Sequence, residues 1–402
     1  MMAVSNEAQT DKLKIVHVFR APLGGLFRHV VDLAAEQSAR GCEVGMFFDG
    51  DGRCPRVEAA LARIPGGLKL GVGMTSIHRN PGISDITAMA RFAAWLGKVK
   101  PDVVHGHGSK GGAYARLSGL ATFRGGPIRA YTPHGGSFNY HAGSALHRVY
   151  MLVEKLFAPM TDVFLFESAY IAGRFDRYVG AASGVRRVVA NGIGPAEFEP
   201  IAPNKDAADL LYVGELREAK GIDTLLDAIA LVGGSRGVAP RTVLVGSGPD
   251  EAVLTRRAKR DGVAQFVSFA GPMPVREAFK LGRVLVVPSR AESMPYVVLE
   301  AAGARVPMIA TNVGGIPEIY GPFRDRLGPP DDAENLRQRI ESALAAPALQ
   351  LQEEAADLAS HVAEHFSIQT MANSVMAGYG EAIARRRRSL VGAPVAAAPS
   401  RH

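Results

Sequence analysis

An apolar run, Val284-Leu-Val-Val-Pro288, reads as a buried strand, and a second, Val306 to Thr311, follows after a single helix. Pro295 stands at the first turn of that helix, which carries Glu300 and stops near Gly303. Two strands joined by one helix form a crossover unit of a parallel sheet, whose strands are apolar on both faces. Open sheets of this kind bind ligands outside the carboxyl ends of their strands. Glu292, in the loop after the first strand, and Glu300, inside the helix, therefore flank a helix N-terminus. Its free N–H groups can hold an anion or sugar hydroxyls. The arrangement suits a ligand with a polar ring at one end and a ribose at the other. Two glutamates eight apart also occur on many solvated helices. What sets this pair apart is its place between two apolar strands, with Gly314-Gly315 after the second.

The same strand–helix alternation runs through the chain. Strands are expected at Lys14–Phe19, Gly45–Phe48, Asp102–His107, Ile128–His134 and Asp162–Ser168, and again at Asp209–Gly214, Arg241–Gly246 and Val267–Gly271. A chain of 402 residues exceeds what one core supports, so two domains are expected. Pro200 and Pro203 mark the connection between them. We place a disordered N-terminus at 1–12, a first Rossmann-like domain at 13–198 and a linker at 199–207. A second Rossmann-like domain follows at 208–365, then a helix at 366–384 and a basic flexible tail at 385–402.

Several loops could carry chemistry. Gly24-Gly25, between the first strand and its helix, lets the backbone approach a phosphate or sugar closely, although a plain tight turn would use the same residues. The full Gly-x-Gly-x-x-Gly fingerprint is missing, which argues against a nicotinamide dehydrogenase. Asp49-Gly-Asp51 has the form of a metal-binding Asp-x-Asp, but its place in an early Gly-rich loop reads as a turn. Lone histidines are usually structural, and His17 and His105 fall in that class. His134 is the better ligand candidate, because Gly135 and Gly136 leave room beside it. Lys220 lies in a loop after the first strand of the second half.

Glu292-x7-Glu300 resembles the motif of the retaining GT-B glycosyltransferases, glycosyltransferase family 4, and Thr311-Asn-Val-Gly-Gly-Ile-Pro-Glu318 resembles the segment that follows it there. The resemblance covers nearly the whole chain and is most specific in the second half. It implies a GT-B fold: two facing Rossmann-like domains, the donor in the cleft held mainly by the second, and a last helix crossing back to the first. It implies roles as well. Gly24 and Gly25 would lie beside donor phosphates and acceptor, and His134, in Thr132-Pro-His-Gly135, would donate hydrogen bonds to the transferred sugar or leaving phosphate. Glu292 would hold the sugar near its developing positive charge, and Glu300 the ribose. Ser293, Met294, Pro295 and Tyr296 would contact the sugar, while Lys220 would neutralise the diphosphate. Gly246 belongs to the Gly-x-Gly-Pro turn of that family. The family's usual arginine position is occupied by Glu215, a departure that Arg217, two residues on, could offset.

The reaction so implied moves a hexosyl unit from a UDP- or GDP-sugar to an acceptor hydroxyl with retention. No cofactor and no bound metal are required, since cations of the protein meet the leaving diphosphate. The expected partners are a nucleotide-sugar and a bacterial polysaccharide or lipid-linked oligosaccharide, in exopolysaccharide or lipopolysaccharide synthesis. The alternatives are a sugar-nucleotide epimerase of the same fold and a catalytically silent sugar-nucleotide-binding protein. Two cysteines, Cys42 and Cys54, lack ligand-like spacing, and with no signal peptide ahead of them a reducing cytosol is expected. The net charge is +7, part of it in Arg385–Arg388. That run reads as a solvated, frayed end or as an attraction to anionic lipid at the inner face of the plasma membrane. No recognition helix, zinc module or base-stacking set points to nucleic acid.

Overall fold

The computed structural model describes residues 12–52, 54–78, 82–121 and 126–391. The N-terminus expected to be disordered lies outside them up to residue 11, as does the end of the chain from residue 392. Two compact units result. The first comprises Met1–Phe166, Arg174–Val189 and Ala372–His402, and the second Glu167–Gly173 and Ala190–Met371.

The first unit is built on seven strands: β1 (Lys14–Val18), β2 (Glu43–Asp49), β3 (Gly71–Thr75), β4 (Val103–His107), β5 (Ile128–Thr132), β6 (Val163–Phe166) and β7 (Val185–Val188). Their order is β3-β2-β1-β4-β5-β6-β7, and every pairing is parallel. The central strands are buried on both faces because helices cover the sheet, and they are largely apolar apart from His17 on β1 and His105 and His107 on β4. The second unit repeats the plan with β8 (Ala208–Val213), β9 (Thr242–Val245), β10 (Val267–Gly271), β11 (Gly282–Val287) and β12 (Met308–Ala310), in the order β10-β9-β8-β11-β12. In both sheets the order reverses beside the first strand, between β1 and β4 and between β8 and β11. Such a switch point opens a crevice at the strands' carboxyl ends. The loop bearing Lys220 follows β8 and the loop bearing Glu292 follows β11, so the two acids and the lysine share the second crevice.

Three sequence expectations shift. The segment taken as a linker is tied to the second unit, since Ile201 N–H donates to the Ala304 carbonyl at 3.0 Å and Asn204 N–H to the Lys280 carbonyl at 2.9 Å; ahead of it, Ile193, expected in the first domain, pairs with Ser367 in a parallel bridge. That unit accordingly begins at Ala190 rather than after the prolines. Pro295 is the N-cap of the helix Tyr296–Gly303, one residue before its first turn. The last helix runs from Ile368 to Val391 and includes Arg385–Arg388, where a flexible tail was expected. Arg386 explains the extension. Its guanidinium donates to Asp162 at 2.7 Å, to the Pro127 carbonyl at 3.1 Å and to the Gly126 carbonyl, so the basic run is anchored to the end of the first sheet.

The helix Ala145–Phe157 has two contrasting sides. Its inner side holds Glu154, which accepts from Arg116 Nη1 at 2.6 Å, Tyr131 Oη at 2.9 Å and Ser137 Oγ at 3.3 Å, all buried. Its outer side presents Leu146, Val149, Leu152, Val153 and Leu156, with Leu152 59 % and Leu156 62 % exposed. Rolling the helix to bury these residues would strip Glu154 of its partners, which is costly for a buried charge. The apolar stripe therefore stays in solvent. Among the described residues no helix is long and apolar enough to cross a membrane.

Candidate active site

In the second unit the sequence-predicted residues converge. Lys220 Nζ donates to Glu292 Oε1 at 2.6 Å, and Ser289 Oγ donates to the same oxygen at 2.8 Å. Glu292 and Glu300 are each only 8 % exposed. A buried carboxylate needs such partners, because desolvating it alone costs several kcal/mol. Backbone fit fixes its position. Gly314 has φ +58°, and a Cβ there would stand 1.9 Å from the Glu292 carbonyl oxygen; one on Gly315 would stand 2.2 Å from that of Ser293. The diglycine after β12 is thus the floor on which the acid loop rests. The Met294 carbonyl accepts from Asn191 Nδ2 at 2.7 Å. The first N–H groups of the helix starting at Tyr296 have no acceptor within the helix, and Pro295 supplies no side-chain cap.

Arg290 is the residue that sequence reasoning passed over. Its guanidinium grips Asp223 with two hydrogen bonds of 2.8 Å, and also donates to the Glu218 carbonyl at 2.6 Å, to Thr224 Oγ1 at 3.1 Å and to Asp331. Its own N–H bonds the Ala219 carbonyl at 2.9 Å. The β11 loop and the β8 loop are thereby fastened together, which sets Lys220 against Glu292. The hydrogen bond to Asp223, with further help from Asp331, raises the Arg290 pKa. Burial pushes the Asp223 carboxyl up, but its bonds to Arg290 outweigh this and hold it below the ordinary range. The signal in the sequence was Arg290 itself, two residues ahead of the acid motif, with Asp223 at a helix start.

The phosphate end differs from the expectation in detail. Arg217 Nε lies 2.9 Å from Glu215 Oε2, both half exposed. The cation expected to offset Glu215 is thus engaged by Glu215. An exposed pair of this kind is worth at most about 1 kcal/mol, so an arriving anion can compete for it. Gly246 has φ +140° and a Cβ there would stand 1.9 Å from the Gly214 carbonyl oxygen. Its glycine identity is explained by packing against the β8 loop.

In the first unit, Gly24 and Gly25 open the helix Gly24–Ala39, exposed, with φ +63° at Gly24. His134 follows β5 with φ +53°. Its ring meets His29 of that helix edge-on, with centroids 4.7 Å apart. Behind it lies a cluster the sequence did not reveal as one. His17 and His105 are register partners on β1 and β4, and His107, two residues on, shares their face. All three are buried. Burial brings the His17 pKa down to about 4, only partly offset by its bond to Gln37. Burial, and then the charges of neighbouring rings, hold His105, His107 and His134 well below the usual histidine range. At neutral pH the rings are neutral. Asp49 and Asp51 form the expected turn: Asp49 Oδ1 accepts from Ile77 N–H at 3.1 Å and Asp51 N–H at 3.4 Å.

The comparisons agree with this layout. A family model described as Glycosyltransferase Family 4 matches residues 23–197, and one described as Glycosyl transferases group 1 matches residues 207–346. A glycogen synthase of Mycobacterium tuberculosis is 28 % identical over 385 residues, covering 89 % of this chain and 91 % of that protein. The putative teichuronic acid biosynthesis glycosyltransferase TuaC of Bacillus subtilis is 35 % identical over 133 residues, 32 % of this chain and 31 % of that protein. Among solved structures, Anabaena HepE in complex with UDP-glucose superposes with a TM-score of 0.71 at 16 % identity, covering 95 % of this chain and 100 % of that one.

Proposed function

Because the chain belongs to glycosyltransferase family 4, has the GT-B fold and is a glycosyltransferase, we propose that it transfers a hexosyl unit from a UDP- or GDP-sugar to an acceptor hydroxyl with retention. The observation that carries this reading is the Glu292–Lys220–Ser289 cluster at the switch point of the second sheet. It sets a cation and a carboxylate side by side, as a leaving diphosphate and a positively charged sugar require.

In this reading the donor diphosphate takes Lys220 as its counter-ion, and Glu292, released from the lysine, faces the sugar. Glu300 holds the ribose, while the backbone from Ser293 through Met294 and Pro295 to Tyr296 lines the sugar. Arg217 adds a second cation once it leaves Glu215. Gly24, Gly25 and His134 are the substrate-contacting residues of the first unit, and Gly246 supports the β8 loop. The bond between the anomeric carbon and the diphosphate oxygen breaks as the acceptor oxygen bonds to the same face. The acceptor proton passes to the departing diphosphate. The protein contributes position and charge rather than a formal base. Its own cations meet the developing phosphate charge, so transfer proceeds without a bound metal. HepE was solved with UDP-glucose, which supports a UDP-sugar donor.

The acceptor proposed is a bacterial exopolysaccharide or lipopolysaccharide precursor, supported by the similarity to the teichuronic acid biosynthesis glycosyltransferase TuaC. The protein works on the inner face of the plasma membrane. What supports that is the exposed stripe of the helix Ala145–Phe157, flanked by Arg148 and Lys155, a pattern suited to an anionic lipid surface. Arg385–Arg388, anchored through Arg386, is the weaker candidate. The test of the reading is release of nucleoside diphosphate from a panel of UDP-, GDP- and ADP-sugars. One or two donors should be turned over, and a protein that binds none of them is not this enzyme.

A further inference from the structure

A continuous chain of hydrogen bonds joins a buried amide to His134. Gln37 Oε1 lies 2.8 Å from His17 Nε2, His17 Nδ1 lies 3.0 Å from His107 Nε2, and His107 Nδ1 lies 3.0 Å from His134 Nε2. Gln37, His17 and His107 are at most 1 % exposed, so no solvent intervenes. A neutral imidazole has one N–H and one bare nitrogen, and each link needs a single proton. Settling one link therefore settles the next. The Gln37 oxygen can only accept, so His17 carries its proton on Nε2 and offers a bare Nδ1. His107 must then donate from Nε2, which leaves its own Nδ1 to accept from His134 Nε2–H. At the end of the chain His134 Nδ1 is a bare nitrogen.

We propose that Gln37 is a positioning residue which, through His17 and His107, holds His134 in the Nε2–H tautomer. His134 Nδ1 then meets a substrate hydroxyl as a hydrogen-bond acceptor. This rests on the reading of His134 as a substrate-contacting residue, and it reverses the donor role expected from the sequence. The low pKa values of the three rings fit the chain, since a protonated ring would have no lone pair to accept the next bond. His105 stands outside it, bonded to Thr132 Oγ1 and Tyr379 Oη at 2.8 Å each. The nitrogens of His17, His105 and His107, and those of His29, His107 and His134, also lie within 4.8 Å of one another, the spacing of a cation site. Both nitrogens of His17 and of His107 already serve the chain, however, so a cation would have to displace its protons.

The test is the tautomer itself, read in the full-length protein labelled with 15N-histidine. Correlation of ring nitrogens with ring carbon-bound protons shows which nitrogen is protonated, and the His134 signal is identified by its loss in His134→Ala. Wild type should show Nε2–H at His17, His107 and His134. Gln37→Met, similar in size but unable to accept, should mix the two tautomers at His134 and lower kcat/KM about fivefold, the worth of one neutral hydrogen bond. An Nδ1–H tautomer at His134 in wild type, or a His134 pattern unchanged in Gln37→Met, would overturn the proposal. So would stoichiometric transition metal bound by the purified protein with the ring protons lost. The wild-type spectrum needs neither a folded variant nor a substrate, so the chain can fail while glycosyl transfer stands, and the reverse.

Discussion

Glu292 is held by a lysine and a serine before any ligand arrives, and the contrast with Arg217 is instructive. Lys220 is sheltered beside its acid, whereas Arg217 lies in solvent against Glu215. Replacing Glu215 by Gln should free Arg217 and remove one negative charge from the phosphate end. Donor affinity, measured by calorimetry, should tighten about fivefold, equivalent to the roughly 1 kcal/mol of a charge pair near 4 Å in water. Unchanged or weaker binding would remove Arg217 from the phosphate site. At this scale the sequence was informative where a residue's type declares its chemistry. Glu292, Glu300 and Lys220 could be named because they stand in segments that resemble the family's motifs, the two acids between two apolar strands. Arg290 could not, since its role depends on Asp223, Thr224 and Asp331 arriving from distant parts of the chain.

Elements were legible through periodicity, and their ends less so. Apolar runs marked the strands because parallel sheets bury both faces. The last helix was cut short at Ala384, because four successive arginines look like a solvated end; the docking of Arg386 on Asp162 requires the fold to be known. The histidine cluster was hidden for a related reason, since His17 and His105 become neighbours only through the β1–β4 register. In the helix Ala145–Phe157, Leu152 and Leu156 are exposed while Glu154 anchors the other side. Leu152→Glu with Leu156→Glu should leave folding intact and abolish sedimentation with phosphatidylglycerol vesicles. Co-sedimentation equal to wild type would rule out this helix as the lipid contact. A wild-type dimer broken by the same change would assign the stripe to a second copy instead.

For the whole molecule, the neutral histidine cluster predicts acid lability. His17 titrates near pH 4 when folded and near 6.5 when unfolded. Below pH 6.5 the unfolded chain gains a proton the folded one refuses, so stability is complete above that value and declines toward pH 4. His17 alone accounts for about 3 kcal/mol over this window, and His105, His107 and His134 act with the same sign. Urea midpoints should fall steadily between pH 7 and pH 4.5, whereas a flat profile would mean that the rings are charged in the folded state. The fold, two parallel sheets each with one switch point, places the acid–lysine cluster at the carboxyl ends of the second sheet's strands, where open sheets of this kind bind ligands. The role of this cluster is tested most directly by Glu292→Gln against the donor the wild-type enzyme uses, with binding and turnover measured separately. The donor should still bind within a few-fold of wild type while kcat falls about 100-fold, as for loss of one charge-stabilising group. Turnover equal to wild type would contradict it.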